Sequence, residues 1–545
     1  MLTTSRARLQ VYGEHEFEIP PLPAAEAEEL FVGRARAMGR ELPPGQLVAE
    51  ICRRLDGLPL AIELVAARTA ELTPTELMES LDNRLELASK GARDLPERQR
   101  TLRAAISWSH DLLAAPERRL FSQLGAFAGG FTRKAVIAVC GEGEGSAEQL
   151  AGLVEASLVR RDEHGRYRLL QTIREYAVER LAESDGAENM RRRHAEYFRE
   201  LGEELVAALP TEAVDEVYAT FEREHDNYRA ALTFAAETGS TELRFRLAAA
   251  VSHFWLVRGH LAEGRAWLEE TLAQVSAREI PPLLRAQVLR KLATLEWRQG
   301  DFDIASTRAE EALPLLAGQV DEDERYRLLI LLGCIEYSRR NREGSRDWWE
   351  QSAALARTLQ NEAHLALALS NLGVVAAELE DYEGGVAIYE ESVESARRAE
   401  HLEYLAGALL GLGDMHVRLR RYEEGRGYLI ESIALYSRLG FQDRLASCYV
   451  WLAPVPEHEG DLAFAGRLLG AAAGIRRHTG ASVDWQEQEF IVEVVGRVRG
   501  ALGEAAYREA YAAGEAEPDL VMEEVLASVA VLPAPMAGQD VSPGG

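Results

Sequence analysis

Small residues that recur every 40 positions constrain the fold of this chain more than any other feature of its sequence. They form three series within residues 281 to 480, namely Ala293, Gly333, Gly373, Gly413 and Ala453, then Ala305, Ser345, Gly385, Gly425 and Ala465, then Ala312, Ser352, Ser392, Ser432 and Ala472. A position with turn character recurs at the same step, as Asp301, Asn341, Asp381, Arg421 and Asp461. A fixed period of this size indicates a repeat architecture.

Within one unit the small positions lie 12 and then 7 residues apart, which places one on a first helix and two on a second. A large side chain at such a close approach would hold the helices apart. The spacing resembles that of the tetratricopeptide repeat, whose unit is 34 residues. We therefore expect each helix pair to be extended here. Five units fit residues 281–480, and a degenerate earlier unit centres on Gly259-His260-Leu261. Such an array is expected to coil into a superhelix with a concave binding face.

The composition limits the classes of partner. The chain has 545 residues, enough for three or four domains, and a formal net charge of −28. A strongly acidic chain repels nucleic acid as a whole, although a local basic surface could still bind it. The four cysteines, Cys52, Cys140, Cys334 and Cys448, form no close-spaced or Cys/His cluster, which argues against a zinc site and a disulfide framework. No metal ligands are predicted.

The sequence contains no apolar run of 18 residues, so no membrane-spanning helix is expected. Residues 1–10 lack the long apolar segment of a signal peptide. A cytoplasmic location without membrane contact is the resulting expectation.

Three stretches near the N-terminus resemble the NB-ARC branch of the signal-transduction ATPases with numerous domains. Thr3-Thr4-Ser5-Arg6 is similar to the end of the sensor-1 strand, Pro21-Leu22 with Glu26-Ala27 and Leu30-Phe31 to the family's PL…EA..LF segment, and Gly57-Leu58-Pro59-Leu60-Ala61 to its GLPLA motif. The resemblance implies that Arg6 reads the terminal phosphate of ATP or ADP and that Pro59 packs on the adenine ring. With the repeats, it points to LuxR/AfsR-like transcriptional regulators.

The phosphate-binding half of that nucleotide module is missing from the sequence. A P-loop ends in Gly-Lys-Ser/Thr, yet none of Lys90, Lys134 and Lys291, the only lysines, follows a glycine. We therefore expect no ATPase activity from this chain alone. Three explanations stay open: a start further upstream, which would make this chain N-terminally truncated, a degenerate relic, or a missing half supplied by another chain.

Residues 96–183 are predicted to form a winged helix, with the wing at Leu158–Arg161 and Tyr167–Leu170 around a turn at Glu163-His164-Gly165. In the family that this chain resembles, the domain packs on the nucleotide module and relays its state. We favour that role over DNA contact. Leu169-Leu170-Gln171 stands where the family often has Met-His-Asp, and leucine cannot hydrogen-bond a phosphate.

The predicted fold is mainly α: a partial α/β nucleotide-module remnant, a helical GLPL subdomain, a winged helix and an α-solenoid. The predicted segments are a nucleotide-domain remnant (1–40), the GLPL subdomain (41–95), the winged helix (96–183), a helical connector (184–250), the repeats (251–480), capping helices (481–530) and a disordered tail (531–545). The connector holds Arg191-Arg192-Arg193-His194, interpreted as a solvated face, and Glu224-His225-Asp226-Asn227-Tyr228-Arg229, whose histidine is interpreted as a structural hydrogen-bonding group.

The predicted function is that of a regulatory protein that senses a protein or small effector on the repeats and relays the event through the winged helix. The alternatives are an ATP-binding switch, if the P-loop half lies upstream, and a DNA-binding protein. No catalytic set of residues is predicted, and the oligomeric state stays open.

Overall fold

A computed structural model describes residues 21–37, 39–43, 45–70, 72–80, 102–141, 145–156, 158–209, 214–273, 280–318, 321–479 and 485–529. The chain divides into two compact units, residues 1–295 and 296–545. Arg6, with the part of the predicted nucleotide-domain remnant before residue 21, lies outside the described residues, as does the predicted tail. Across the described ranges, no helix is long and apolar enough to cross a membrane.

The first unit begins with four short helices, α1 (Ala24–Ala37), α2 (Gln46–Arg54), α3 (Pro59–Ala67) and α4 (Pro74–Ser80). Helix α1 packs on α2 and α3 through Ala27, Phe31 and Ala35. Before α4, the Thr73 hydroxyl accepts from the Glu76 amide and the Glu76 carboxylate accepts from the Thr73 amide at 2.7 Å. This reciprocal pair is the predicted capping box, which satisfies two amides that the helix leaves unpaired.

Five helices and a two-stranded hairpin follow, and they have the composition of a winged helix. They are α5 (Leu102–Asp111), α6 (Ala115–Leu124), α7 (Arg133–Cys140), α8 (Gly145–Glu155), β1 (Arg160–Arg161), β2 (Tyr167–Arg168) and α9 (Gln171–Ala182). The strands pair antiparallel, with Arg160 opposite Arg168. Thr132 caps α7 by accepting from the amide of Ala135, as its position in the sequence predicts.

Longer helices complete the first unit: α10 (Ala187–Ala208), α11 (Val214–Glu237), α12 (Thr241–Val257), α13 (Leu261–Ala273) and α14 (Pro282–Arg298), whose last residues pass into the second unit. Helix α10 packs on α7, α11 and α12. The boundary predicted at residue 250 falls inside α12, because that helix runs on through Phe254 and Trp255, which are buried.

In the second unit most helices have the same length. After α15 (Phe302–Ala312) come α16 (Glu322–Ser338), α17 (Arg342–Thr358), α18 (Glu362–Glu378), α19 (Tyr382–Arg398) and α20 (Leu402–Arg418), each of 17 residues, and then α21 (Tyr422–Leu439). The connections from α16 to α21 have three residues each. One helix plus one connection, taken twice, therefore accounts for the 40-residue step and for the excess over the 34-residue unit.

The small residues lie where the helices of a pair meet. A Cβ on Gly373 would come within 2.4 Å of the Tyr389 ring, and one on Gly413 within 2.6 Å of Leu429. Ser392 and Ser432 are fully buried and donate to the carbonyls of Ala366 and Ala406 across the same pairs. The mainly α class with a winged helix and a repeat array is thus confirmed.

The array closes on a broken helix pair and three further helices. These are α22 (Gln442–Leu452), α23 (Pro454–Glu459), α24 (Leu462–Thr479), α25 (Trp485–Leu502), α26 (Glu504–Ala516) and α27 (Pro518–Val529). Helices α24 and α26 meet backbone to backbone, because a Cβ on Gly470 would lie 2.0 Å from the carbonyl oxygen of Tyr511. The last three helices fall in the region predicted to cap the repeats.

Candidate functional site

A groove of about 440 Å³ opens on the first helices of successive pairs in the second unit. Its lining residues on α18, α20 and α22 lie three and four positions apart, which places them on one face of each helix. They repeat with the 40-residue step: Leu367, Gly407 and Ser447 occupy equivalent places, and so do Asn371, Gly411 and Trp451. The periodicity that packs the helices therefore also aligns the groove.

Glycines on α20 give the groove its depth. A Cβ on Gly411 would come within 2.2 Å of the Tyr389 ring, and one on Gly407 within 3.3 Å of the Tyr436 hydroxyl. The two tyrosine rings can therefore lie close against α20 while still lining the groove. Burial raises the pKa of both phenols, so they stay protonated at neutral pH.

The groove is rich in carboxylates. Among its described lining residues are Glu403, Asp414, Asp443 and Glu487, against a single guanidinium, that of Arg444. Two of the carboxylates have an ion-pair partner: Asp414 accepts from Arg418 at 2.6 Å, and Glu487 pairs with the largely buried Arg476. Glu403 stands exposed at the start of α20. The groove can thus present negative charge and aromatic rings to a ligand.

A stack of aromatic rings fixes one wall of the groove. The Trp451 and Phe490 rings are stacked with their centroids 4.0 Å apart, and the Arg418 guanidinium lies 4.8 Å from the Trp451 ring. Cation–π contact and the ion pair to Asp414 restrain the same guanidinium. This wall is therefore pre-formed.

Of the two residues predicted to contact nucleotide, only Pro59 lies in the described structure. It is the first residue of α3, where proline is tolerated, and it is exposed. The preceding Gly57 has a φ of +63°, and a Cβ there would lie 2.6 Å from the Leu22 carbonyl oxygen. The Leu22 amide donates to the Gly57 carbonyl at 3.0 Å. The structure thus joins two of the stretches that carry the family resemblance.

The third place implied by the family resemblance, Leu169-Leu170-Gln171, lies at the start of α9, with Leu170 as its N-cap. The amide of Thr172 there donates to a carboxylate oxygen of Asp56 at 3.4 Å, from the turn just before Gly57. The GLPL turn and the closing helix of the winged helix are therefore in contact. The role of Pro59 in nucleotide binding stays a prediction.

Helix α11 holds the winged helix through one buried amide. The Asn227 side chain accepts from the Ala128 amide at 2.9 Å and the Gly129 amide at 3.3 Å, and donates to the Gly130 carbonyl at 2.9 Å. Beside it, Glu224 forms a buried ion pair with Arg166 near the wing. Sequence analysis noted the stretch 224–229 without predicting this contact.

The same helix contacts the next helix pair through its following side chains. Nε2 of His225 lies 3.2 Å from Glu263 Oε1, and Arg229 grips the Glu263 carboxylate with bonds of 2.7 and 2.6 Å. His225 is thus placed among charged groups rather than in a purely structural hydrogen bond. Stretch 224–229 therefore links the winged helix to α12 and α13.

The basic run at residues 191–194 is not a free anion-binding patch. Arg191 pairs with Glu237 and Arg192 with Glu188, while Arg193 donates to the Ala138 carbonyl at the end of α7. His194 is buried against the Phe127 and Phe198 rings, and burial lowers its pKa to about 4. The prediction of a solvated face is wrong for this histidine, because its ring packs inward.

Comparison with known proteins agrees with this arrangement. A family model described as "Winged helix-turn-helix domain" matches residues 113–182, and one described as "Tetratricopeptide repeat" matches residues 365–400. A protein of Mycobacterium tuberculosis named "Putative HTH-type transcriptional regulator" is 34% identical over 399 residues, which are 69% of this chain and 44% of the relative. The chain is a regulator-like protein with a winged helix and tetratricopeptide repeats.

A second relative, an uncharacterised protein of Mycobacterium tuberculosis, is 40% identical over 213 residues, which cover 37% of this regulator-like chain and 54% of the relative. The matches thus span about half the length of the curated relatives. A solved signal-transduction ATPase with a tetratricopeptide repeat sensor, from Pyrococcus horikoshii, aligns with 91% of this chain and 75% of its own at 13% identity and a TM-score of 0.42. That likeness is too low to test the NB-ARC part of the resemblance.

Proposed function

We propose that the chain is a regulatory protein whose repeat groove binds an effector and whose winged helix relays that event. The groove on α18, α20 and α22 carries the proposal, since it combines pre-formed aromatic walls with exposed carboxylates. A protein segment or small molecule with apolar and cationic groups would match that lining. The regulator-like relatives support the regulatory part.

The groove can be tested on the full chain. Peptide pools that differ in net charge are first ranked by the rise in melting temperature of the protein, and the best ligand is titrated by calorimetry. Asn371→Arg places a cation in the groove and should weaken binding of a cationic ligand at least tenfold. Gln351→Arg adds the same charge on the exposed side of α17, away from the groove lining, and should leave the affinity unchanged.

Equal affinities for the two variants would place the ligand elsewhere. Failure of cationic pools to bind, with tight binding of acidic ones, would contradict the charge assignment of the groove.

We further propose that the chain is not an enzyme by itself and acts in the cytoplasm. The absence of a Gly-Lys-Ser/Thr loop supports the first point, and four free thiols, three of them buried, support the second. A fluorescent ADP analogue separates this proposal from the ATP-switch alternative. Micromolar binding that Pro59→Ala weakens would favour the switch, whereas no binding would favour the proposal.

DNA reading by the winged helix is a weaker candidate. In a helix-turn-helix the second helix enters the major groove, and here that helix is α8. Its exposed face carries Glu148 and Glu155, and α8 contains no lysine or arginine. A duplex shift that weakens steeply with salt would overturn this assessment.

A further inference from the structure

Two histidines and a carboxylate from separate segments of the first unit converge at the junction of α11 with the turn before α13. They are Glu222 and His225, on neighbouring turns of α11, and His260, which precedes α13. One ligand atom from each lies within 4.8 Å of the others. The His260 Nε2 is 3.8 Å from a Glu222 oxygen, and the two imidazole rings have their centroids 4.8 Å apart.

His225 is the buried member of this group. Only 7% of the residue is exposed, and its Nε2 has no hydrogen-bond partner of acceptable geometry, although Glu263 Oε1 lies 3.2 Å away. A buried imidazole nitrogen without an aligned partner is costly in an ordinary core. Phe254 packs edge-on against this ring and also lies beside His260, so the two imidazoles have a shared apolar support.

The donor set suits a divalent transition metal. Two imidazole nitrogens and one carboxylate oxygen form a three-ligand zinc site of known type, with a fourth position left for water. Zinc–ligand bonds of about 2.0–2.2 Å place ligand atoms roughly 3.4 Å apart in a tetrahedron. A movement of about an ångström, within reach of the exposed Glu222 side chain and the half-exposed His260, would close the present distances.

The charges favour a cation at this point. Burial lowers the pKa of His225, which keeps the imidazole neutral and able to donate a lone pair at neutral pH. Glu222 and Glu263 supply two carboxylates, and Arg229 already holds Glu263 in a bidentate pair. Glu263 therefore stands beside the cluster as a group that can hydrogen-bond a metal-bound water.

We propose that Glu222, His225 and His260 bind one divalent transition-metal ion, with Zn²⁺ as the best match. The ion fastens α11 to the turn that opens α13. Because Asn227 and Glu224 on the same helix hold the winged helix, metal binding stiffens the support of that domain. The site is separate from the repeat groove and does not depend on the proposed effector.

The test uses the full chain, freed of any affinity tag and treated with a chelator. Calorimetry with Zn²⁺ gives the stoichiometry and affinity, and Co²⁺ gives the visible d–d absorption of a tetrahedral site with nitrogen and oxygen ligands. His260→Gln and Glu222→Gln remove one ligand each at partly or fully exposed positions. His164→Gln removes a histidine from the exposed turn of the wing and is the matched control.

The proposal expects one equivalent of Zn²⁺ bound with micromolar affinity or better, a tenfold or larger loss in His260→Gln and Glu222→Gln, and no change in His164→Gln. Zn²⁺ should also raise the melting temperature of the wild type and of His164→Gln only. Absence of a tetrahedral Co²⁺ spectrum, or wild-type affinity in both ligand variants, would overturn it. If His260→Gln is misfolded by circular dichroism, Glu222→Gln alone decides, since its side chain is exposed.

Discussion

The Asn227 side-chain amide donates to the Gly130 carbonyl at 2.9 Å and thereby ties α11 to a corner of the winged helix 97 residues earlier in the chain. Asn227 is fully buried, and every polar atom of its side chain is used. Few residues in the first unit join such distant segments through so many bonds. The following predictions begin with this residue.

Asn227→Ala should lower the free energy of unfolding by about 3 kcal/mol, because it strands the amides of Ala128 and Gly129 inside the protein. Urea denaturation measures the loss. The control is Asp226→Ala at the next position, where the side chain is exposed and pairs only with Arg229. Its cost should stay below about 0.5 kcal/mol. Equal effects of the two changes would refute the bridging role of Asn227.

Gly373→Ala and Gly427→Ala should have opposite signs. At Gly373 the new methyl would meet the Tyr389 ring at 2.4 Å, so overpacking of about 1–3 kcal/mol outweighs the gain in helix propensity. Around Gly427 nothing lies within 4 Å, and alanine should stabilise α21 by about 0.5–1 kcal/mol. Thermal unfolding of both variants checks the pair. Stabilisation by both would show that the small series is not a packing requirement.

Glu380→Gly should stabilise the array by about 0.5–1 kcal/mol, because Glu380 has a φ of +58° and glycine adopts that conformation without strain. Glu390→Gly, in the interior of α19, is the comparison and should cost about 1 kcal/mol. Denaturant midpoints of the two variants should therefore move in opposite directions. A drop for Glu380→Gly would mean that its side chain matters more than its backbone.

His194→Phe should flatten the pH dependence of stability in acid. Burial lowers the folded-state pKa of His194 to about 4, below the usual 6.5, so the unfolded chain takes up a proton that the folded chain does not. This penalty is absent above the unfolded pKa and grows as the pH falls from about 6.5 towards 4. Between pH 7 and 5 it amounts to about 2 kcal/mol.

The phenylalanine variant keeps a ring between Phe127 and Phe198 and loses that titration. Urea unfolding at both pH values gives the difference, and His164→Phe at an exposed site should keep the wild-type slope. Some slope will remain in either case, because burial also lowers the pKa of His110, His225, His253, His364 and His416. An unchanged slope in His194→Phe would mean that His194 is protonated in the folded state.

The sequence predicts the repeat array well because a packing requirement at one position recurs at every unit. It showed only half of the order, however. Asp321, Asn361 and His401 cap the first helix of each pair as Asn341 and Asp381 cap the second, so the connections recur every 20 residues. Three different side chains share that role, and a search for one residue type cannot find it.

The groove, the α11 junction and the histidine cluster were not predicted, because each depends on residues that only tertiary packing brings together. Asn371, Gly411 and Trp451 differ in chemistry, although they stand two positions before Gly373, Gly413 and Ala453. His225 and His260 are 35 positions apart. A fixed offset from the small series was the available signal for the groove, whereas local spacing carried none for the histidines.

The equal helices joined by equal connections have a consequence for how such a chain changes over generations. Arg340, Gln360, Glu380, Glu400 and Arg420 take the same left-handed conformation at every connection, so each joint is interchangeable with the others. Loss or duplication of one 40-residue block leaves both new neighbours with a joint that they already fit. Variation in the number of blocks is therefore tolerated more easily than insertion of a few residues, which would break the match between helix length and joint.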